Sequence, residues 1–311
     1  MFYIKKTNER YEINIFGLKI KLRKNYNKYK MKFDNLLYEL KDPRTLEQIK
    51  LPKILGYEDS LYKSLSVNKS VARYGDGEFK LIIGENISFQ KYDKKLADRL
   101  KSILKNDNND ILVGIIDIFG YPPSDYMRKV AVNCREEIYK YLNFDKEYID
   151  SMFTRKVKFV SREQGSDYFL KMKQLWENKD IVIVEGAGSR LGIGNDLFSK
   201  TKSIVRILCP IKDAFSKYDE ILNECLKQPK EKLFILALGP TATVLAEDLT
   251  LNGYRALDVG HVDSAYEAFL RGAEKFVHVE GKIVFNEERK NNKLKPCKDE
   301  NYNKEIVANF N

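Results

Sequence analysis

The sequence has no apolar run that approaches the ~20 residues a membrane-spanning helix needs. Its most apolar segment, residues 233–246, is interrupted by Gly239 and Pro240. The N-terminus lacks the apolar stretch and small-residue cleavage site of a signal peptide, and the four cysteines are scattered without a CxxC pair. We therefore expect reduced thiols, no disulfide framework and a cytoplasmic protein.

Several catalytic signatures are absent as well. The chain contains no Gly-x-Ser-x-Gly elbow, no GxxxxGK[ST] P-loop and no HExxH motif. These absences argue against serine hydrolases, P-loop nucleotidases and zinc metalloproteases.

Positive charge is present in excess but is unevenly distributed. The chain has 55 Lys and Arg against 45 Asp and Glu, and residues 1–53 hold 14 of the former and 6 of the latter. The rest of the chain thus carries 41 basic and 39 acidic residues, which argues against nucleic acid as a partner of the main domain. We predict that residues 1–53 form a basic N-terminal appendage, with a small hairpin or a strand pair over residues 11–23, where apolar and polar residues alternate.

The basic residues of this appendage continue beyond the predicted hairpin, with Tyr26 and Tyr29 between them. Two interpretations fit them equally. They could form a patch for anionic lipid headgroups, worth about 1 kcal/mol per basic residue near the surface. They could also form a solvated basic tail.

From residue 54 onward, strand and helix patterns alternate. Residues 181–184, Ile-Val-Ile-Val, are typical of a strand buried on both faces. The predicted strands are 71–74, 111–116, 157–160, 181–184, 204–208, 233–238 and 256–259, and the predicted helices are 61–65, 96–104, 124–141, 167–176, 195–200, 215–226 and 241–251. Repeated β-α-β units predict an α/β, Rossmann-like domain over residues 54–287, a mostly parallel sheet with helices on both faces. Residues 288–311, rich in Lys, Asn and Glu, are predicted to be a peripheral polar tail.

An acidic turn follows the predicted strand 71–74. Gly-Asp-Gly at residues 75–77 lets the backbone turn sharply, because glycine reaches positive φ at little steric cost. Asp76 and Glu78 lie two residues apart on this turn, where both carboxylates can converge on one point. Convergent hard oxygens suit Mg²⁺ or Mn²⁺. An ordinary polar turn with acidic residues at a helix N-terminus is the alternative.

A glycine-rich loop, Glu185-Gly-Ala-Gly-Ser-Arg-Leu-Gly-Ile-Gly-Asn-Asp196, follows strand 181–184 and leads into the predicted helix 195–200. Its glycines allow close backbone approach, and Ser189 and Arg190 can donate hydrogen bonds to phosphate oxygens. The spacing is GxGxxxG, whereas dinucleotide-binding proteins use GxGxxG, which disfavours an NAD site. The loop predicts a phosphate or nucleotide site. The alternative is that its glycines only allow the chain to turn and bind no ligand.

Two more polar segments connect a predicted strand to the helix that follows it. Within residues 238–243, Pro240 suits a first helical turn, and Thr241 can cap the helix or offer a hydroxyl to a ligand. Within residues 257–264, Asp258, His261 and Asp263 cluster, so the carboxylates could tune the histidine as a base or metal ligand; a capped helix start at Asp263 is the alternative. The other histidine, His278, lies in a strand-like run and is predicted to be structural.

Four of these stretches together resemble the GT-D family of bacterial glycosyltransferases, formerly a domain of unknown function. They are Arg73-Tyr-Gly-Asp-Gly-Glu78, Glu185-Gly-x-x-Ser-Arg-Leu-Gly-x-Gly-Asn-Asp-Leu-Phe198, Ala237-Leu-Gly-Pro-Thr-Ala-Thr243 and Leu257-Asp-x-Gly-His-x-Asp263. Their order and spacing match over roughly residues 55–285. Four collinear motifs are far more specific than any one of them.

The resemblance implies a Rossmann-like fold, a nucleotide-sugar donor (typically UDP-linked, such as a UDP-hexose) and Mn²⁺ or Mg²⁺ held by an Asp-x-Glu motif. On this chain the metal ligands would be Asp76 and Glu78. With them we place His261 and Asp263 in the catalytic set, one of the two as the hypothetical base for the acceptor hydroxyl. The residues assigned to the nucleotide-sugar are Arg73, Gly75, Glu185, Gly186, Ser189, Arg190, Gly192, Gly194, Asn195, Asp196, Gly239, Pro240 and Thr241.

The acceptor is expected to be a glycan, glycolipid or glycoprotein, modified on the cytoplasmic side, at the inner face of the membrane if residues 1–53 bind lipid. Two other functions fit the same sequence less well. A nucleotide-dependent oxidoreductase on the same sheet would bind nicotinamide without metal, and the off-pattern glycines disfavour it. A non-catalytic nucleotide- or membrane-binding partner of glycan-assembly enzymes would bind without turnover, and the intact acidic pair disfavours it.

Overall fold

The computed structural model describes residues 2–6, 10–15, 18–23, 50–105, 107–120, 124–283 and 295–311. The chain divides into two compact units, residues 1–51 with 117–136, and residues 52–116 with 137–311. The domain boundary predicted after residue 53 stays a prediction, and the one predicted after residue 287 lies outside the described residues.

The first unit contains a three-stranded antiparallel sheet in the order β1-β2-β3. Its strands are β1 (Phe2–Lys6), β2 (Arg10–Ile15) and β3 (Leu18–Arg23). The pairing of β2 with β3 places Arg10 opposite Arg23 and Ile15 opposite Leu18. The strand pair predicted over residues 11–23 is therefore confirmed.

The second unit is built on a parallel sheet that has nine strands within the described residues. The strands are β4 (Lys53–Ile54), β5 (Ser70–Tyr74), β6 (Ile111–Ile115), β7 (Glu147–Asp150), β8 (Asp180–Gly186), β9 (Ser203–Cys209), β10 (Leu233–Ala237), β11 (Arg255–Asp258) and β12 (Ile306–Asn309). Their order in the sheet is β12-β9-β8-β10-β11-β5-β6-β7-β4. Every neighbouring pair is parallel, so the predicted parallel α/β fold is confirmed.

Helices lie in the connections between the strands of this sheet, except in the one from β8 to β9. The α-helices of the described chain are α1 (Tyr57–Ser66), α2 (Asp76–Ile82), α3 (Lys94–Lys105), α4 (Asp125–Tyr139), α5 (Arg162–Gln174), α6 (Tyr218–Cys225), α7 (Pro240–Leu251), α8 (Val262–Leu270) and α9 (Glu300–Glu305). Short 3₁₀ turns cover Ser151–Arg155 and Ala214–Lys217. Within the described residues, the helices are all too short or too polar to cross a bilayer.

Both faces of the central strands are buried, which explains their continuous apolar sequences. One face packs against α1, α5 and α8 in a single cluster that includes Ile183, Ile235 and Leu257. On the opposite face the Tyr74 hydroxyl donates a hydrogen bond to the Leu100 carbonyl of α3 at 2.7 Å. Helices therefore cover both faces of the sheet, as predicted.

Two predicted elements are wrong. Residues 195–200 form turns rather than a helix, and the Leu197 N–H donates a hydrogen bond to the Asn195 side chain at 3.0 Å in a local turn. Residues 157–160 form no strand; Val160 is exposed and its N–H donates to the Gln164 side chain at the start of α5. The strand-like run around His278 is also irregular.

The C-terminal residues contribute to the sheet. β12 pairs in parallel with β9, and the Glu305 carboxylate lies 2.6 Å from Nε of Arg206, which is 2% exposed. The prediction that this tail is peripheral is therefore wrong for residues 295–311.

Candidate functional site

The four motifs lie at one edge of the sheet. They follow β8, β10, β11 and β5, which are four consecutive neighbours in the sheet order. Because these strands are parallel, their carboxyl ends lie side by side. The structure therefore brings together the four stretches that the sequence singles out, as expected for a ligand site in an open α/β sheet.

A change in chain direction divides this edge between β8 and β10. The chain leaves β8 toward β9 on one side, whereas it leaves β10 toward β11 on the other. Such a topological switch point opens a crevice between the two strand ends. A small cavity lies at this position, lined in part by Gly186, Ser189, Leu238 and Gly239.

The acidic turn joins β5 to α2. Gly75 is the N-cap, and its N–H donates a hydrogen bond to the Glu78 carboxylate at 2.7 Å. The Asp76 carboxylate lies 2.8 Å from the Lys80 ammonium one turn later. Burial raises the pKa of Glu78 to about 7, and the nearby negative charges of Asp258 and Asp76 act in the same direction.

These two carboxylates fit a divalent cation that receives further ligands from elsewhere. In the described parts of the chain, no three His, Cys, Asp or Glu side chains are grouped to hold a metal. Mg²⁺ commonly takes one or two carboxylates and completes its shell with water and phosphate oxygens. A cation would also favour the ionised form of Glu78, whose pKa is raised mainly by burial, so the residues present suit the predicted metal.

Arg73 links the ends of three strands beside this turn through hydrogen bonds. Its Nε and Nη2 donate to the carbonyl and carboxylate oxygens of Asp258 at 2.7 and 3.0 Å. Its Nη1 donates to the Ser151 carbonyl at 2.8 Å. Arg73 was predicted to contact the nucleotide-sugar, but here all three nitrogens of its guanidinium hold β5, β11 and the end of β7 together.

Glu185, at the end of β8, is fully buried beneath the glycine-rich loop. One carboxylate oxygen lies 2.7 Å from the Arg206 guanidinium, and the other accepts a hydrogen bond from the Leu191 N–H at 2.8 Å. Burial raises the pKa of Glu185, although the Arg206 charge opposes that shift. Glu185 therefore fixes the loop from below rather than facing the cavity.

Asp263 fixes the same loop from the side of α8. Its Oδ1 accepts hydrogen bonds from the Gly192 N–H at 2.9 Å and from the Asn195 amide at 2.8 Å. The Asn195 amide also donates to Glu267. Gly192 and Gly194 both have positive φ, 76° and 83°, which lets the loop turn tightly toward these side chains.

Arg190 and Asp196 also make contacts within the protein. The Arg190 guanidinium donates to the Gly281 carbonyl at 2.8 Å and to the Lys295 carbonyl. The Asp196 carboxylate accepts from Lys173 at 2.7 Å and from the Tyr266 hydroxyl at 2.5 Å. Of the polar side chains predicted in this loop, Ser189 is the one that lines the cavity.

The joint between β10 and α7 presents a helix N-terminus at the crevice. Gly239 adopts φ 55° and ψ −143°, and Pro240 occupies the first turn, as predicted. The Thr241 side chain is fully buried, and its Oγ1 has no hydrogen-bond partner in the part of the chain that the structure describes. An orphaned hydroxyl at the start of a 12-residue helix is a place where a phosphate oxygen or water can bind.

His261 occupies the N-cap position of α8, just beyond β11, and its ring contacts the ring of Phe276 with centroids 6.2 Å apart. The alternative in which Asp263 caps this helix does not hold, because Asp263 lies inside the first turn. Asp258, His261 and Asp263, which were predicted to form one cluster, thus have different roles in the structure. Asp258 binds Arg73, Asp263 binds the loop, and His261 stands at the strand end.

A family model described as the glycosyltransferase GT-D fold matches residues 71–287, a span that includes all four motifs. The chain belongs to the GT-D family. This membership confirms the predicted family.

Two relatives of this GT-D chain have names that agree with the family. It is 35% identical over 276 residues to a probable glycosyl transferase, Gly, of Streptococcus gordonii, covering 83% of this chain and 39% of that protein. It is 34% identical over 290 residues to the glycosyltransferase GlyD of Streptococcus pneumoniae, covering 88% of this chain and 35% of that protein. The chain therefore spans less than two fifths of the length of these relatives.

Solved GT-D structures match the same fold. A glycosyltransferase from Streptococcus sanguinis is 35% identical, with a TM-score of 0.75, over 84% of this chain and all of that one. A second structure, described as a conserved domain with a distinct glycosyltransferase fold, has a TM-score of 0.74 and 35% identity, and it covers 90% of this chain.

Sequence reasoning missed several residues at the GT-D crevice. Phe89, Ile211 and Ile283 line the cavity, and Lys282 pairs with Asp263. No periodic pattern or turn signal distinguishes them, because each lies in an irregular segment far in sequence from the strand ends it reaches. The Ile283 N–H donates to the Gly188 carbonyl at 2.7 Å, a contact visible only in three dimensions.

Proposed function

We propose that the protein is a metal-dependent glycosyltransferase that moves a sugar from a UDP-linked donor to a hydroxyl of a glycan, glycolipid or glycoprotein acceptor. The observation that carries the proposal is the convergence of the acidic turn, the glycine-rich loop and the α7 N-terminus on four neighbouring strand ends. The names of the relatives agree with this activity in general terms.

The donor would lie across the switch point with its diphosphate toward α7 and α2. The positive end of the α7 dipole and the orphaned Thr241 hydroxyl favour phosphate oxygens there. Ser189 lines the same cavity. Arg190, Glu185 and Asp263 support this arrangement by fixing the loop, which keeps the Ser189 backbone and hydroxyl in place.

Asp76 and Glu78 would hold the cation. When bound, a divalent cation neutralises negative charge on the nucleoside diphosphate as the bond to the sugar breaks. The carboxylates themselves need only remain ionised and correctly oriented. The capping bond from the Gly75 N–H holds Glu78, and the Lys80 ammonium holds Asp76.

The acceptor hydroxyl must lose a proton as it attacks the anomeric carbon. His261 and Asp263 are the two residues we assign to this step, and the contacts of Asp263 make it the weaker candidate. Each Asp263 oxygen already accepts a hydrogen bond or ion pair from the loop or Lys282. His261, at the end of β11, lies on the edge where the motifs meet.

Binding and hydrolysis measurements test this function. Titration calorimetry with UDP, with Mn²⁺ or with chelator, is compared between the wild type, Asp76→Asn and Glu78→Gln. We expect Mn²⁺-dependent UDP binding and UDP-sugar hydrolysis that both variants lose. Asp98→Asn is the matched control, because Asp98 forms a similar i,i+4 pair with Lys94 on α3, 2.5 Å long, away from the site.

Absence of UDP binding in the wild type, with or without metal, would overturn the proposal. Equal binding with Mn²⁺ and with chelator would overturn its metal dependence alone. Binding of a nicotinamide cofactor instead of UDP would identify the oxidoreductase alternative.

We also propose that the first unit binds an anionic membrane surface on the cytoplasmic side. Residues 1–53 carry the basic excess of the chain. Because successive residues of a strand alternate between faces, the positions of Lys19, Lys21 and Arg23 share one face of β3. That arrangement supports an electrostatic contact with lipid headgroups.

Vesicle co-sedimentation tests the membrane contact. The protein should bind vesicles that contain anionic phospholipid and should be released from them at high salt. It should not bind purely zwitterionic vesicles. A triple variant Lys19→Glu, Lys21→Glu, Arg23→Glu should lose binding. A control with the same net charge change replaces three exposed lysines of the second unit, Lys94, Lys158 and Lys200. Equal losses in both variants would contradict a specific role for β3.

A further inference from the structure

A second cavity adjoins the crevice at the switch point, and it has a volume of about 410 Å³. Ser189 and Ile283 line the first cavity, whereas the adjacent residues Arg190 and Lys282 line the second. Because consecutive Cα atoms are only about 3.8 Å apart, the glycine-rich loop and residues 279–283 form a wall that the two cavities share. The second cavity is therefore a direct neighbour of the proposed donor site.

Contacts within this shared wall fix its shape. The Ile283 N–H donates to the Gly188 carbonyl at 2.7 Å, and a Cβ added at Gly188 would lie 2.6 Å from the Ile283 side chain. The Arg190 guanidinium donates to the Gly281 carbonyl at 2.8 Å. The two segments thus pack directly against each other, and the second cavity is formed before any ligand binds.

The second cavity has the size and openness of a ligand site. Its volume lies in the range of about 300–1,000 Å³ that is usual for sites of small molecules. Gly194 lines it, and a Cβ added there would meet no atom of the described chain within 4 Å. Arg190, which is 7% exposed, keeps a buried Nε without a hydrogen-bond partner among the described residues. A buried donor of this kind is normally paired, so a ligand hydroxyl or a water fits beside it.

Charged groups of both signs line this cavity in nearly equal number. The Glu267 carboxylate lies 3.6 Å from the Lys282 ammonium and 3.3 Å from the Arg271 guanidinium, so several of these charges offset one another. An anion would meet carboxylates here, and a cation would meet ammonium and guanidinium groups, so the lining favours neither. The cationic side chains are Arg190, Arg271, Lys282 and Lys298, and the carboxylates are Glu267, Glu280 and Asp299.

A neutral ligand rich in hydroxyl groups matches such a lining. Arginine and lysine only donate hydrogen bonds and ionised carboxylates only accept them, whereas a hydroxyl does both. Ile193 and Val279, both half-buried, also line the cavity and offer apolar contact for C–H groups. Sugar units combine the two properties, since their rings carry hydroxyls around a C–H framework.

We infer that the second cavity binds a sugar unit of the acceptor, next to the unit whose hydroxyl reacts. The inference rests on the proposed glycosyltransferase function and commits its acceptor to one that already carries sugar. The reacting hydroxyl must reach the crevice, and the neighbouring unit of the same glycan then needs a polar site close by. The second cavity provides that site on the other side of the shared wall.

Titration with neutral trisaccharides, followed by NMR, tests this site. The probes are maltotriose and chitotriose, the trimers of glucose and of N-acetylglucosamine, with inorganic phosphate as the anionic comparison. We expect at least one trisaccharide to bind the wild type, with and without UDP and Mn²⁺, and phosphate not to displace it. The double variant Glu280→Ala, Lys298→Ala should weaken this binding about tenfold or more, because each change removes a hydrogen bond to a charged group.

Both replaced residues are exposed, so the double variant should fold, and thermal unfolding checks this. Its UDP affinity should not change, since neither residue lines the crevice. The matched control is Lys217→Ala, Glu220→Ala, which removes the same two residue types from an exposed ion pair outside the second cavity. The control should bind the trisaccharide as the wild type does.

Cys297 reports where the trisaccharide binds. It lines the second cavity and is half-buried, whereas the other cysteines of the chain, Cys134, Cys209 and Cys225, are buried. N-ethylmaleimide should therefore label Cys297 first, and mass spectrometry of the peptides measures the extent. The bound trisaccharide should slow this labelling severalfold, and inorganic phosphate at the same concentration should not.

Binding of neither trisaccharide would overturn the inference, as would unchanged affinity in the folded double variant or labelling of Cys297 that the bound sugar does not slow. Protection of Cys297 by phosphate alone would overturn it in favour of an anion site. In each case the proposed function stands as long as the wild type binds UDP with Mn²⁺. Failure to bind UDP would overturn the proposed function and the acceptor role of the cavity with it.

Discussion

The Lys282 ammonium lies 2.6 Å from Oδ2 of Asp263, and both side chains are 4% exposed. The other oxygen of this carboxylate accepts hydrogen bonds from the Gly192 N–H and the Asn195 amide. One carboxylate therefore joins α8, the glycine-rich loop and the segment after α8. Asp263, predicted from sequence as a catalytic residue, is placed to hold that loop in shape.

Replacement of Lys282 by methionine should destabilise the protein strongly. Met keeps the apolar stem but leaves the Asp263 carboxylate buried without its cation, which typically costs about 3–5 kcal/mol. Urea unfolding at pH 7 measures the loss. Lys158→Met is the control, because the Lys158–Glu274 pair is 70% and 77% exposed and should contribute less than about 1 kcal/mol. Equal losses of stability in the two variants would contradict a stabilising role of the buried Lys282–Asp263 pair.

The fold was predictable where burial imposes a simple pattern. The strands β8 and β10 are continuous apolar runs because helices cover both of their faces. The motifs follow directly after those runs, and the parallel pairing of the strands brings their carboxyl ends together. By contrast, β7 and β12 do not follow from the sequence, since each has only four residues and includes polar ones.

The roles of the polar side chains could not be predicted from the motifs alone. Glu185 and Arg190 have the chemistry of ligand-binding groups, but the structure gives them protein partners 21 and 91 residues away. No periodicity reports such long-range pairs. The sequence located the edge where the site lies, and the packing of β9, α8 and the C-terminal residues decides which side chains remain available to a ligand.

Glu185→Gln should reduce stability without a specific effect on UDP. Arg206 is 2% exposed and would keep only Glu305 as a charged partner, so we expect a loss of about 2–4 kcal/mol. The UDP affinity of the folded variant should stay within about twofold, because glutamine can still accept the hydrogen bond from the Leu191 N–H that fixes the loop. Urea unfolding and calorimetry give the two quantities.

The control for this prediction is Asp180→Asn, which removes a surface carboxylate at the start of the same strand, 3.1 Å from Lys202. It should cost less than about 1 kcal/mol. A large, selective loss of UDP affinity in Glu185→Gln would instead support the direct nucleotide contact predicted from sequence.

Gly260→Ala should be far more disruptive than Gly253→Ala. Both glycines have positive φ, 48° and 80°, so both variants incur a backbone cost of about 1–2 kcal/mol. At Gly253 nothing lies within 4 Å of the added Cβ, whereas at Gly260 the Cβ would overlap the Arg73 guanidinium. Displacing Arg73 breaks its contacts with Asp258, so Gly260→Ala should cost at least about 2 kcal/mol more. Similar thermal stabilities of the two variants would contradict this packing.

The metal-free protein should lose stability as pH rises from 5 to 8, in a way that Glu78→Gln does not. Burial raises the pKa of Glu78 from 4.5 to about 7 in the folded state. A raised pKa means that the contribution of the protonated side chain is fully present below pH 4.5 and is lost as pH rises through 7. The loss amounts to about 3 kcal/mol by linkage.

Urea unfolding of the wild type and of Glu78→Gln, at several pH values with chelator present, measures this difference. Glutamine is uncharged throughout and can still accept the hydrogen bond from the Gly75 N–H, so it isolates the charge. Addition of Mn²⁺ should restore wild-type stability above pH 7 but not that of the variant, because a bound cation favours the ionised carboxylate. Parallel pH profiles for the two proteins would mean that the pKa of Glu78 is not raised in the folded state.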